Sequence, residues 1–111
     1  MTTSNLINSL QAKQIQFKDV LAHIEELYNY SPSAFKNGNQ VNAETENQGS
    51  ARVLFFAKLS NLSKEDTLWL FAEHYGSVLN HPDGTDHQNI RQFQLNGWDG
   101  VSFEKDVLIL K

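Results

Sequence analysis

Along the first third of the chain, apolar residues recur at the three-to-four spacing of an amphipathic helix. Leu6, Ile7 and Leu10 follow Thr3 and Ser4, either of which can cap, and they predict a short helix from about Ser4 to Ala12. Phe17, Val20, Leu21, Ile24, Leu27 and Tyr28 form a longer stripe, with Lys18, Asp19, His23, Glu25 and Glu26 on the wet side. This stripe predicts a second helix from Phe17 to Asn29. Pro32 stops it, because proline pushes the residue before it out of helical geometry.

The pattern then breaks. Tyr30 to Gly49 carries Asn37, Asn39, Asn42 and Asn47, and Asn37-Gly38 marks a tight turn. A loop with a short hairpin is expected, pinned to the core by Tyr30, Phe35 and Val41. Ser50 to Leu59 has no clean period, so a buried helix and a central strand both fit. Helix is preferred: Thr45-x-x-Gln48 reads as a helix-start box, and the run flows directly into Asn61-Leu62-Ser63.

Ser63-x-x-Asp66 caps a further helix, Lys64 to Tyr75, which buries Thr67, Leu68, Leu70, Phe71 and Tyr75 and stops at Gly76. Asn80 to Gly84 is a turn by composition. Thr85-x-x-Gln88 is a second capping box, and Asp86 sits at the positive end of a helix from Asp86 to Asn96. Ile90 and Phe93 face inward there, with Leu95 or the stem of Gln94, and Gly97 ends the helix. Beyond Trp98, Val101 and Phe103 and then Val107 to Leu110 predict two strands joined by Glu104-Lys105-Asp106, the second in the core. The fold class is α+β: one helix-rich domain over residues 1–111, with a small antiparallel β-sheet made from the Phe35–Val41 region and the C-terminal strands.

Composition narrows the function. Apolar residues are 40% of the 111, which is enough for one packed core. There is no cysteine, which removes disulfides, thiolate metal sites and a cysteine nucleophile. That absence fits a cytosolic protein, and also one that must pass unfolded through a secretion channel. The net charge is −4 with no lysine or arginine cluster, so neither nucleic acid nor an anionic membrane is an expected partner. The longest apolar run, Val53 to Ala57, is too short to cross a bilayer. No basic patch precedes an apolar stretch, so no Sec-type signal is expected. Thr2 to Gln16 is rich in Thr, Ser, Asn and Gln and the first acidic residue is Asp19, a composition compatible with a type III export signal. The plainer reading is a polar, partly frayed first helix.

Several features coincide along the chain: Tyr30-x-Pro-x-x-Phe-x-Asn-Gly, Asn42-x-x-x-x-Asn-x-Gly-Ser, FAKLSNLS followed by TLWLF, HPDGTDHQNIRQF, and Gly97-Trp98-x-Gly100-Val101-x-Phe103. Together they resemble the HopJ type III effector family over essentially the whole length. The resemblance implies an α+β domain and, for some members, delivery by type III secretion. No catalytic residues are established for that family, so none are carried over.

The densest chemistry lies between His81 and Trp98. His81, Asp83, Asp86 and His87 are a candidate metal set, of mixed ligands suited to zinc, manganese or iron(II). Their spacing matches no motif with a known geometry. Asp83 also suits a turn and Asp86 a helix start, so turn and cap roles are preferred and no metal is assigned. His74, beside Tyr75 at the expected helix end, and His81 could work with Glu44 or Glu46 as an acid–base pair. The plainer role of His74 is to meet the negative end of its helix. The start of the Asp86 helix, with Arg91 or Arg52, could take an anion, but Asp83 and Asp86 oppose one. Arg91 is expected in a buried or half-buried pair with Glu44, Glu46 or Asp99, and Trp98 should cover the core with its indole N–H on a carbonyl. Asn37, Asn42, Asn47 and Asn89 should tie the long loop down.

The candidate polar site is therefore His74, His81, Asp83, Asp86, His87, Asn89, Arg91, Glu46 and Asn47. The leading expectation is an effector-like protein without a cofactor, acting by binding a protein or small ligand, resident in the bacterial cytoplasm or exported by type III secretion. The alternative is a small metal- or histidine-dependent enzyme or ligand-binding protein of general bacterial metabolism. Oligomeric state is left open.

Overall fold

The computed structural model describes residues 2–111. Helix α1 (Thr3–Gln11) is capped by Thr2, whose hydroxyl accepts from the Asn5 N–H at 3.1 Å, not by Thr3 or Ser4. Leu6, Ile7 and Leu10 are buried, so this helix is anchored in the core. Helix α2 (Phe17–Leu27) opens with the Gln16 N–H on the Asp19 carboxylate at 2.8 Å and buries Val20 and Ile24. It ends earlier than Pro32 would require. Tyr28 has left the helix (φ −132°, ψ 148°) and starts strand β1 (Tyr28–Tyr30).

Strands β2 (Phe35–Asn37) and β3 (Gln40–Asn42) form the expected hairpin. Gly38 takes φ +59° at the first of the two turn positions, and a Cβ there would run into the Gln92 and Asn96 side chains. Phe35 is buried, but Val41 points outward at 70% exposure and pins nothing.

Strand β4 (Val101–Phe103) adds to the other edge of β2, and β5 (Leu108–Leu110) pairs with β1, all antiparallel. The two C-terminal strands therefore do not pair with each other. Both ladders share one register: carried through the gap, it sets Ser31 opposite Val107 and Ala34 opposite Glu104. The bonds Ser31 N–H to Val107 O (2.8 Å) and Glu104 N–H to Ala34 O (3.2 Å) agree with it. The pair of sheets is one long antiparallel arm, interrupted where Pro32 has no N–H to give. Val107 and Leu108 are buried, while Ile109 and Leu110 are exposed, so only half of the VLIL run reaches the core.

Helix α3 (Gln48–Leu59) decides the ambiguous segment in favour of helix, and it buries Ala51 and the whole run Val53–Ala57. The Thr45-x-x-Gln48 box does not form. Asn47 is the N-cap in a left-handed conformation, and the Gln48 side chain turns back onto the preceding loop. Its amide N–H₂ donates to Ser33 O and Glu46 O, while its oxygen accepts from Tyr30 Oη and Ser33 N.

The helix expected over Lys64–Tyr75 is two helices. Helix α4 (Lys64–Trp69) is capped by Ser63 as expected, and α5 (Glu73–Asn80) follows a break at Ala72, which takes φ 53°, ψ −124°. Leu68, Leu70, Phe71 and Val78 are all buried. Gly76 lies inside α5 and stops nothing. Helix α6 (Gln88–Asn96) starts later than expected, with His87 as N-cap, and ends at Gly97 (φ +59°) before a 3-10 turn. Ile90 and Phe93 are buried and Leu95 is exposed. The result is an α+β domain in which the helices wrap one core and the arm closes one side.

Candidate functional site

Three helix starts meet at one cleft of ≈ 200 Å³: Asn47 and Ser50 come from the start of α3, His74 from α5, and His87 to Ile90 from α6. None of these three helices has a side-chain N-cap bond, whereas Thr2 and Ser63 cap α1 and α4. Their first-turn N–H groups carry the positive ends of the helix dipoles. His74 and His87 come together at this cleft, ring centroids 5.2 Å apart. The His74 ring also rests edge-on against Phe17, at 5.0 Å. His74 thus sits near the beginning of its helix, and not at the negative end that the sequence suggested.

His87 is held in left-handed geometry (φ 52°, ψ 47°), uncommon outside glycine but entered more readily by histidine than by most side chains. It places the imidazole in the cleft, with Nε2 3.9 Å from the Asp86 carboxylate. Among the described residues, no aspartate or glutamate lines the cleft itself.

Behind the cleft lies a buried amide cluster. Asn42 and Asn89 pair reciprocally, Asn47 Nδ2 donates to Asn42 Oδ1 at 2.8 Å, and Asn37 Nδ2 donates to Asn89 O at 2.7 Å. The four asparagines do tie the long loop to α6, as their composition suggested. Asn37 Oδ1 is buried without a hydrogen-bond partner among the described residues.

Arg91 has a different partner from any expected. Glu44, Glu46 and Asp99 do not meet it. Its guanidinium takes the Asp86 carboxylate at 2.7 Å and the carbonyls of His81 (3.0 Å), Pro82 (3.3 Å) and Asp86 (2.6 Å). The loop is thereby clasped to α6 by one side chain. The Arg91 guanidinium holds the Asp86 carboxyl below its usual range. Asp86 is not a helix cap, and Thr85 is not one either: Gln88 Nε2 donates to Thr85 O.

The candidate residues thus divide. His74, His87, Asn47 and Asn89 share the cleft. Asp86 and Arg91 form the clasp, Asp83 stands exposed on the turn, and His81 turns its Nδ1 to Ser77 O at 3.1 Å. Glu46 closes its own loop by accepting from the Ala43 N–H at 3.0 Å. Among the described residues, no three histidine or carboxylate side chains are placed to hold a metal ion together. The sequence reading missed Gln40, Ser50 and Gln88 in the cleft. The uncapped start of α6 was their signal, once His87 is recognised as its N-cap. Trp98 behaves as expected, its indole N–H on Leu62 O at 3.1 Å.

No helix among the described residues is long and apolar enough to cross a membrane. No curated protein matches the chain. A solved crystal structure of the unknown function protein VPA0580 is similar, with 40% identity and a TM-score of 0.89, over 100% of this chain and 95% of that one. The family model described as HopJ type III effector protein matches residues 3–108. The chain belongs to the HopJ type III effector protein family.

Proposed function

We propose that this protein is an effector-like binding protein that takes a small polar ligand in the cleft between α3, α5 and α6. One observation carries the reading: His74 and His87 come together at 5.2 Å over uncapped helix starts. Imidazoles can donate or accept, and the starts of α3 and α6, which lack a side-chain cap, add N–H donors suited to oxygen-rich groups. The amide cluster behind them is internally bonded, so it holds the walls in place before anything binds. The alternative of a metal-dependent enzyme loses its support, because the four residues that would hold the metal are spread over a clasp, a turn and the cleft.

Inorganic phosphate, malate and glycerol serve as probes of the phosphate, carboxylate and hydroxyl classes, read by ring-nitrogen NMR of the histidines. At least one probe is expected to move the His74 and His87 signals together while His23 stays. If none moves either ring, the cleft is not the binding site. Delivery is tested separately, by fusing the segment through Val20 to a reporter in a strain with a type III apparatus. Export is expected, and retention in the cytoplasm would remove the delivery half of the proposal.

A further inference from the structure

A second and larger hollow, ≈ 610 Å³, lies between the α1–α2 connection and the α4–α5 break. Leu10, Ile15, Trp69 and Leu79 make it apolar, in contrast to the histidine cleft. Leu79 is 51% exposed. Two costs in the fold fall on this hollow and nowhere find a reason in the packing. Ala72 holds φ 53°, ψ −124°, a region that glycine enters freely and alanine does not. Gly76 lies inside α5, where glycine weakens a helix, yet a Cβ there would meet nothing within 4 Å. The absent side chain leaves the floor of the groove open.

Lys13, Gln16, Glu73, Ser77, Asn80 and His81 supply the polar part of the lining. Glu73 is the one carboxylate in its lining, and it already accepts from the Phe17 N–H at 2.7 Å. Lys13 lines the groove, is exposed, and forms no ion pair with a described residue. We propose that the groove binds a small amphiphile with one anionic head, of the class of a medium-chain carboxylate. Its chain lies over Gly76 against Trp69 and Leu79, and its head meets the Lys13 ammonium. The volume is in the range of small-molecule pockets, and an apolar wall with a few polar groups is their usual character. This site is separate from the histidine cleft and stands whether or not that cleft binds anything.

Decanoate, below its micellar concentration, is the probe, added to the full chain. The indole N–H signals of the two tryptophans give the readout, Trp69 at the groove and Trp98 as internal reference. A saturable, equimolar shift of Trp69 with Trp98 unmoved is expected. Gly76→Leu fills open space without a clash and should weaken binding roughly tenfold or more while the helical circular dichroism is kept. Lys13→Gln should weaken it several-fold, and decanol should bind the unaltered chain more weakly than decanoate does. Leu95→Ser, on the exposed side of α6, should change nothing. Absence of a saturable shift, or equal affinity in Gly76→Leu, would overturn the site. Equal binding of decanol and decanoate would overturn the anionic head. A concentration-dependent dimer abolished by Gly76→Leu would give the groove to a second copy of the chain and overturn the proposal.

Discussion

Asn42 and Asn89 hold each other by both ends of their amides, Nδ2 of each on Oδ1 of the other at 3.2 and 3.1 Å, in a buried setting. One comes from a hairpin edge and the other from the first turn of α6, so the pair joins the long polar loop to the helix that presents His87. Replacing either asparagine by alanine leaves the other amide buried without its partner. Each single change should cost about 2 kcal/mol of stability by urea unfolding. The double replacement should cost clearly less than the sum of the two. Strict additivity would mean that the pair is not coupled.

Arg91 is a fork with several carbonyls on its tines, and lysine cannot reproduce that geometry. Arg91→Lys and Arg91→Met should each lose about 2 kcal/mol, with lysine recovering little of it. Equal stability of Arg91→Lys and the unaltered protein would show that charge alone matters. The Asp86 partner adds an acid limb. Its folded-state pKa is held down by Arg91, so the stability it contributes is present above the ordinary carboxylate pKa and is lost as pH falls through the lowered one. Asp86→Asn should flatten the acid end of a melting-temperature profile. An unchanged acid limb would remove that carboxylate from the account.

Relief of the Ala72 backbone is open to direct measurement. Ala72→Gly should stabilise the fold by about 1 kcal/mol, because glycine takes φ 53° without penalty. Gly76→Ala should add about 1 kcal/mol by helix propensity, having nothing to clash with. Loss of stability in both, in denaturant titrations, would mean that the break and the glycine are not the sites of strain described above.

His23 works in the opposite sense from Asp86. Its ring lies edge-on to Phe56, 5.9 Å between centroids, and burial lowers its pKa, with Glu26 acting weakly against the shift. The unfolded chain therefore binds the proton more readily than the fold does. Stability should rise with pH through the window between the lowered value and the ordinary histidine pKa, and then level off. His23→Gln should lose that slope just below the ordinary histidine pKa in thermal melts. A slope unchanged by the substitution would assign it to another group.

The elements whose periods are set by near neighbours were legible before any coordinates. The existence of α1, α2 and α6, the Ser63 cap, the β2–β3 hairpin at Gly38 and the Gly97 stop each depend on a few adjacent residues, and each is present, although α2 ends earlier and α6 starts later than its stripe suggests. The α+β class was legible in the same way. The family resemblance, too, rests on short motifs that lie in order along the chain.

Other features were settled only when distant segments met. No local signal tells Tyr28 to leave its helix, since its partner Leu110 lies at the far end of the chain. Alanine is the best of helix formers, yet Ala72 breaks one at φ 53°, ψ −124°, and no neighbouring residue in the sequence marks the break. The aspartates and histidines around position 85 looked like a single cluster when read in a line. Chain folding spent Asp86 on Arg91, turned His81 to its own helix end, and brought His87 instead to His74. Spacing along a sequence fixes direction only within a turn of helix or strand, while burial and hydrogen-bond demand act across the whole chain, and here they chose the partners.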